Sequence, residues 1–172
     1  KYFGANFPVF GCSGNHDWSL MSGAHGYSAV LHERLTRAGL ANQCVGQPGI
    51  DLACGFRGLF FVNSAIPMGK TDHLNFIDGS LQRYAKRFPW RLCTWHAVAE
   101  EFAFSGDLPR SSRDDPPITP YEPCRRFGAF IVNGHDHVYG RTALMSSFAP
   151  ATPVGDPKSQ SADSDVMLLQ PG

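Results

Sequence analysis

The sequence predicts an α/β fold in which short buried strands alternate with amphipathic helices. Apolar runs end in polar or glycine-rich turns, and the stretches between them carry apolar residues at helical spacing. The chain has 172 residues, of which 42% are hydrophobic, enough for a domain that buries roughly two-thirds of its unfolded surface. We therefore interpret residues 1–172 as one domain.

Four strands are expected where an apolar run stops at a polar turn. Three of them lead directly into groups of Gly, Asn, Asp and His, which are residues that carry chemistry as well as turns. The predicted strands are Phe7–Cys12, Gly58–Asn63, Trp90–Trp95 and Ala129–Asn133.

The spacing of apolar residues predicts two amphipathic helices. The first runs from about His25 to Ala38 and stops at Gly39, a residue type typical of helix C-termini. The second runs from about Asp72 to Arg87 and ends before a proline. The Pro-, Ser-, Arg- and Asp-rich stretch from Ser105 to Pro123 is predicted to be a long surface loop. The residues expected to face inward on the second helix are Leu74, Ile77, Leu81 and Tyr84.

Charge and hydropathy exclude several classes of partner. Fifteen Lys plus Arg balance fifteen Asp plus Glu, so no overall field attracts the chain to nucleic acid or to an anionic membrane. No apolar run approaches the ~20 residues that a membrane-spanning helix needs. We expect neither a membrane span nor a polymeric nucleic-acid substrate.

The five cysteines leave two interpretations open. None has the C-x-x-C spacing of a structural zinc site, so buried free thiols are the simplest interpretation. In an oxidising compartment, however, Cys44 and Cys54 would close a loop.

Polar side chains cluster at the ends of the predicted strands, where α/β sheets place their ligands. An amide oxygen and several imidazoles suit zinc, iron or manganese, whereas calcium or magnesium would call for carboxylates. In the His-x-His pair both rings reach one site if the backbone is extended. A lone His96 would be no more than a packed or solvated side chain, but the combination predicts a metal site. The residues concerned are Asn15, His16, His96, His135 and His137.

Three motifs together resemble the calcineurin-like metallophosphoesterase superfamily: Gly14-Asn15-His16-Asp17, the isolated His96, and Gly134-His135-Asp136-His137. The continuation Val138-Tyr139-Gly140-Arg141-Thr142 is similar to its purple acid phosphatase branch. The resemblance covers about Phe7 to Phe148. It implies a four-layer α/β/β/α sandwich and a dinuclear metal centre.

The resemblance also implies a role for each residue that matches a motif. His16 would contact the substrate phosphate or protonate the leaving oxygen, and Asp17 would orient His16 and raise its pKa. A metal-activated hydroxide would attack the phosphorus of a phosphate mono- or diester, with two Fe, Zn or Mn ions as cofactors. One metal would be held by Asn15, His96 and His135, and the other by His137.

The sequence departs from the family pattern at its beginning. The family's Asp-x-His and Gly-Asp-x-x-Asp motifs, which supply the remaining ligands, do not precede Gly14. We therefore expect further sequence upstream, an N-terminally incomplete domain and weak or absent activity of the chain alone. The alternatives are a non-catalytic binding module with a degenerate phosphoesterase fold, and a nuclease, against which the zero net charge argues. The purple-acid-like ending favours a secreted or lumenal location.

Overall fold

The fold is α/β, as predicted, and the described part of the chain has one five-stranded mixed sheet, one two-stranded sheet and three α-helices. The computed structural model describes residues 3–69, 72–98, 120–135 and 145–148, and the backbone of 151–153. The strands are β1 (Cys44–Gln47), β2 (Asp51–Phe56), β3 (Leu59–Ser64), β4 (Trp90–Trp95), β5 (Phe130–Asn133), β6 (Met145–Phe148) and β7 (Ala151–Pro153). The helices are α1 (Tyr27–Arg37), α2 (His73–Tyr84) and α3 (Tyr121–Arg126).

Strand direction changes across the main sheet, whose order is β1-β2-β3-β4-β5. The first three strands pair antiparallel, whereas β3, β4 and β5 are parallel. The carboxyl ends of β3, β4 and β5 therefore lie along one edge of the sheet, and the residues that follow them are neighbours.

Apolar side chains are buried on both faces of the sheet. Along β3, Phe60 and Val62 belong to a core that includes Ile77 and Leu81 of α2. The intervening Phe61 belongs to a second core with Leu35 of α1. This alternation follows from the two-residue period of a strand, and it explains why the sequence of β3 is a continuous apolar run.

Helix α1 begins and ends within two residues of its predicted bounds. Gly39 has φ +71°, and its amide donates to Thr36 O at 3.0 Å while the Leu40 amide donates to Leu35 O at 2.8 Å. This is a Schellman ending, which needs a left-handed residue after the helix. Leu35 and Leu40 pack in the same core, so the helix stop also fixes the chain's return to the sheet.

Helix α2 also confirms its prediction, because its last turn continues as a 3-10 turn over Ala85–Arg87. Asp72 caps its start by accepting a hydrogen bond from the Asn75 amide at 3.3 Å. Ile77 and Leu81 are fully buried, as expected from their spacing. Within the described ranges, no helix has both the length and the apolar character needed to cross a membrane.

The backbone differs from the sequence-based prediction at three places. Phe7–Cys12 is not a strand, since Cys12 makes only a single parallel bridge, to Gly49. Strands β1 and β2 were not expected, because glycines interrupt the apolar pattern between Cys44 and Phe56. The predicted loop from Ser105 to Pro123 ends inside α3, which starts at Tyr121; the loop up to residue 119 lies outside the described part.

Four of the five cysteines form disulfides, so the free-thiol interpretation was wrong for them. Cys44 and Cys54, which face each other in the β1–β2 register, are bonded as the oxidising alternative required. Cys93 of β4 is bonded to Cys124 of α3, and only Cys12 is free. Two disulfides are typical of proteins that fold in an oxidising compartment.

We expect Gly39→Ala to destabilise the chain by about 1 kcal/mol, because an L side chain is strained at a left-handed position. Gly79→Ala is the matched control: Gly79 lies inside α2 with open space at its missing Cβ, and alanine there should stabilise by roughly 0.5–1 kcal/mol. Urea unfolding of both variants measures the difference. Shifts of the same sign would contradict the assigned ending of α1.

Candidate metal centre

Three of the predicted ligands meet at the carboxyl edge of the parallel strands. His96 follows β4, His135 follows β5, and Asn15 lies in the turn after Cys12. His96 Nε2 is 2.8 Å from Asn15 Oδ1 and 3.0 Å from His135 Nδ1. Neighbouring nitrogen ligands of a tetrahedral zinc ion lie roughly 3.3 Å apart. Shifts of a few tenths of an ångström would therefore open this cluster to a metal ion.

A glycine makes room for the central histidine. A Cβ on Gly14 would lie 2.6 Å from both Nδ1 and Cε1 of His96, which is closer than any real Cβ contact. Gly14 is buried, and the imidazole packs directly on its backbone. The first residue of the Gly-Asn-His-Asp motif thus positions a ligand that is distant in sequence.

Backbone hydrogen bonds join the His96 loop to the His135 loop and to the segment after β3. The Gly134 amide donates to His96 O at 3.0 Å, and the Ala97 amide donates to Ile66 O at 3.2 Å.

His135 has φ +71°, a left-handed conformation that costs a non-glycine residue roughly 1–2 kcal/mol. Its neighbours must offset that cost, and such strain is common where a side chain has to be aimed at a site.

The surroundings of His96 favour its neutral form. Burial lowers the pKa of His96, the nearby His135 and His16 lower it further, and the carboxylate of Asp17 acts in the opposite direction. A neutral imidazole is the form that binds metals. The lowered pKa therefore favours the form of His96 that a metal ion can bind.

Asp17 hydrogen-bonds to the backbone of its own turn. Its carboxylate accepts a hydrogen bond from the Gly14 amide at 3.4 Å, and its own amide donates to Gly14 O at 3.2 Å. Asp17 thus closes the turn that presents Asn15 and His16. In the described structure no hydrogen bond joins Asp17 to the exposed ring of His16, and the role of Asp17 toward His16 stays a prediction.

The predicted second-metal ligand, His137, lies outside the described residues, as do Asp136, Tyr139 and Arg141. Among the residues that the structure describes, no three His, Cys, Asp or Glu side chains are grouped closely enough to hold a metal ion. The third donor of the cluster is instead the amide oxygen of Asn15. The described donors thus form one side of a site.

A second polar cluster, to which the sequence analysis assigned no role, lies beside the end of β3. His73 Nδ1 is 2.8 and 2.9 Å from the two carboxylate oxygens of Asp51 and 3.0 Å from Ser64 Oγ. Its Nε2 is 2.9 Å from Met68 O. Ser64 also donates to Asp51 Oδ1 at 2.7 Å. No local motif signals this cluster, because Asp51 and Ser64 meet only through the unexpected β2–β3 register.

This cluster is not a nucleophilic Ser-His-Asp triad. In a triad the serine and the carboxylate bind opposite ring nitrogens, whereas here both lie at Nδ1. Ser64 is fully buried, so no substrate reaches its hydroxyl. The cluster instead ties the start of α2 to the sheet and to the loop that contains Ile66 and Met68.

Comparison of the chain with protein-family models, with curated proteins and with solved structures finds no match.

We expect Gly14→Ala to displace the His96 ring from Asn15 and to destabilise the chain by about 1–3 kcal/mol, because the added methyl overlaps the imidazole. The ¹⁵N signals of the histidine rings and urea unfolding report the two effects. Gly11→Ala is the control, since open space surrounds that position in the same segment. Unchanged His96 signals in Gly14→Ala would show that the contact is not formed.

We expect His73→Ala to cost about 3 kcal/mol, because it removes the imidazole that hydrogen-bonds the largely buried carboxylate of Asp51. The exposed His32 of α1 offers a control, since His32→Ala should change stability by less than about 0.5 kcal/mol. Urea unfolding of both variants at neutral pH tests this. Equal losses would mean that the Asp51–His73 pair contributes little.

Proposed function

We propose that this chain carries part of the dinuclear metal centre of a metal-dependent hydrolase of phosphate mono- or diesters. The observation that supports it most directly is the placement of His96 Nε2 within hydrogen-bonding distance of both Asn15 Oδ1 and His135 Nδ1. These side chains are 81 and 39 residues from His96 in sequence. Each belongs to a different motif of the calcineurin-like pattern.

The donor set fits a borderline metal ion. Asn15, His96 and His135 would hold one ion and His137 would contribute to the other, with Fe, Zn or Mn the suitable metals. Two bound ions would supply charge stabilisation to phosphoryl transfer and activate a water at neutral pH. The lowered pKa of His96 supports this assignment, because protons compete with the metal for the same nitrogen.

His16 is the residue that we assign to proton transfer. Its ring is exposed and adjoins the ligand Asn15 in the turn closed by Asp17. From there an imidazole would reach the leaving oxygen of a bound phosphate ester and donate a proton to it. Asp17 contributes by holding the turn, through the hydrogen bond to Gly14.

The α/β fold and the disulfides support the proposal in two general features, the fold class and the oxidising compartment. In the proposed four-layer sandwich, the mixed sheet would be one of the two sheets. The Cys44–Cys54 and Cys93–Cys124 disulfides fit a secreted or lumenal protein. The substrate we propose is a small phosphate ester rather than a nucleic acid, since the net charge is zero.

The test is metal binding followed by hydrolysis. We expect Zn²⁺ to bind, and His96→Ala to weaken binding by more than about a hundredfold, since outer-shell partners alone contribute 10–100-fold. His32→Ala should leave the affinity unchanged, because His32 is exposed on α1. Isothermal titration measures the affinity, and elemental analysis gives the metal content.

Hydrolysis of 4-nitrophenyl phosphate is then measured for this chain and for the full-length gene product. Activity that is lost in His96→Ala and reduced in His16→Ala supports the proposal. Metal binding without hydrolysis in either form would favour the non-catalytic binding module. Absence of metal from both forms would rule out the metallohydrolase.

A further inference from the structure

A groove with two arginines on its rim lies at the end of the sheet opposite the candidate metal centre. It has a volume of about 340 Å³, within the range of small-molecule sites. Phe60, Tyr84 and Phe88 form its aromatic lining, and Arg57 and Arg87 stand beside them. This set of residues, called the arginine groove below, shares none with the proposed phosphoesterase site.

The groove exists because α2 leaves part of the sheet uncovered. The helix packs on β2 and β3, whereas Val45 on the edge strand β1 stays 39% exposed. Between them, Gly55 has no side chain, and a Cβ there would lie 2.2 Å from Phe88 Cζ. The Phe88 ring therefore lies against bare backbone, and the space beside it is open to solvent.

The two guanidinium groups are held by aromatic rings and not by carboxylates. The Arg57 guanidinium lies 5.4 Å from the centre of the Phe56 ring, and that of Arg87 lies 5.5 Å from the centre of the Tyr84 ring. Neither forms an ion pair within the described ranges. Cation–π contact leaves the guanidinium N–H groups free to bind an anion.

The backbone at Arg57 is not one that favours arginine. Arg57 and Gly58 form the β2–β3 turn with φ +49° and +85°, a turn whose first position suits Asn, Asp or Gly. Arginine there costs roughly 1 kcal/mol relative to glycine. The backbone of the turn does not require a guanidinium group. A ligand in the adjacent groove would give Arg57 a role.

Charge in the groove is uncompensated. No Asp or Glu is among the described lining residues, whose remaining polar groups are the side-chain amides of Asn42 and Gln43 and backbone groups. The complementary ligand is therefore an anion. The aromatic lining adds a preference for a planar apolar ring in contact with it.

We propose that the arginine groove binds a small anionic molecule with a planar ring, whose acidic group contacts Arg57 and Arg87. The acidic group is a carboxylate, sulfonate or phosphate, since a guanidinium binds all three in the same way. This site does not depend on the proposed phosphoesterase activity.

A matched pair of fluorescent probes tests the proposal. 1-Anilinonaphthalene-8-sulfonate and N-phenyl-1-naphthylamine share one ring system, and only the first carries an anion. The wild-type chain should bind the sulfonate about tenfold more tightly or better, and Arg57→Gln and Arg87→Gln should each lose about tenfold. Amide NMR shifts on adding the sulfonate should map to Val45, Ala53 and Tyr84.

Two controls separate binding from folding and from net charge. Arg57→Gly relieves the left-handed backbone, so it should keep or raise stability and still lose affinity. Arg34→Gln removes the same charge from a different cavity and should leave affinity unchanged. Equal affinity for the two probes, full affinity in the Arg57→Gln/Arg87→Gln double variant, or no binding would each overturn the proposal.

Discussion

The register between β4 and β5 determines where the candidate site forms. Trp95 pairs with Asn133, so His96 and Gly134 leave the sheet side by side and share a hydrogen bond. A slip of one residue would move His135 by roughly 3.3 Å along the strand and separate the two rings. The Cys93–Cys124 disulfide and the hydrogen bond from Tyr121 Oη to Asn133 Oδ1 join these strands to α3. These two contacts thus stabilise the β4–β5 register, and the positions of His96 and His135 depend on that register.

The elements with a strong internal pattern could be predicted from the sequence. Strand β4 has the predicted bounds, and α2 follows its 3.6-residue period to the last turn. The failures occurred where structure depends on partners that are distant in sequence. Phe7–Cys12 has the composition of a strand but pairs only at Cys12, and Cys44–Phe56 pairs as a hairpin despite its glycines. A local pattern reports propensity, whereas pairing is decided by the rest of the sheet.

The convergence of His96 and His135 was predictable because the carboxyl ends of the parallel strands β4 and β5 share an edge. Asn15 joins them from a segment that makes only a single bridge, to Gly49. Finer features of the site were not predictable. The contact between Gly14 and the His96 ring, and the left-handed backbone of His135, exist only in three dimensions. The resemblance gave Asp17 a role beside His16, and no sequence pattern indicated that a four-residue turn would also bring its carboxylate to the Gly14 amide. In tight turns the nearest backbone donor competes with the neighbouring side chain.

Strand direction also separates the two sites that we propose. The metal centre lies where β3, β4 and β5 end, whereas the arginine groove lies beside the β2–β3 turn, where β3 begins. Six residues of β3 span roughly 17–20 Å, so a ligand on Arg57 is too far from His96 to be the group that reacts there. Any influence of one site on the other must pass through β3 and the hydrogen bond from Ala97 to Ile66 O. Since β3 is buried on both faces and cannot shift freely, the simplest expectation is that the two sites bind independently.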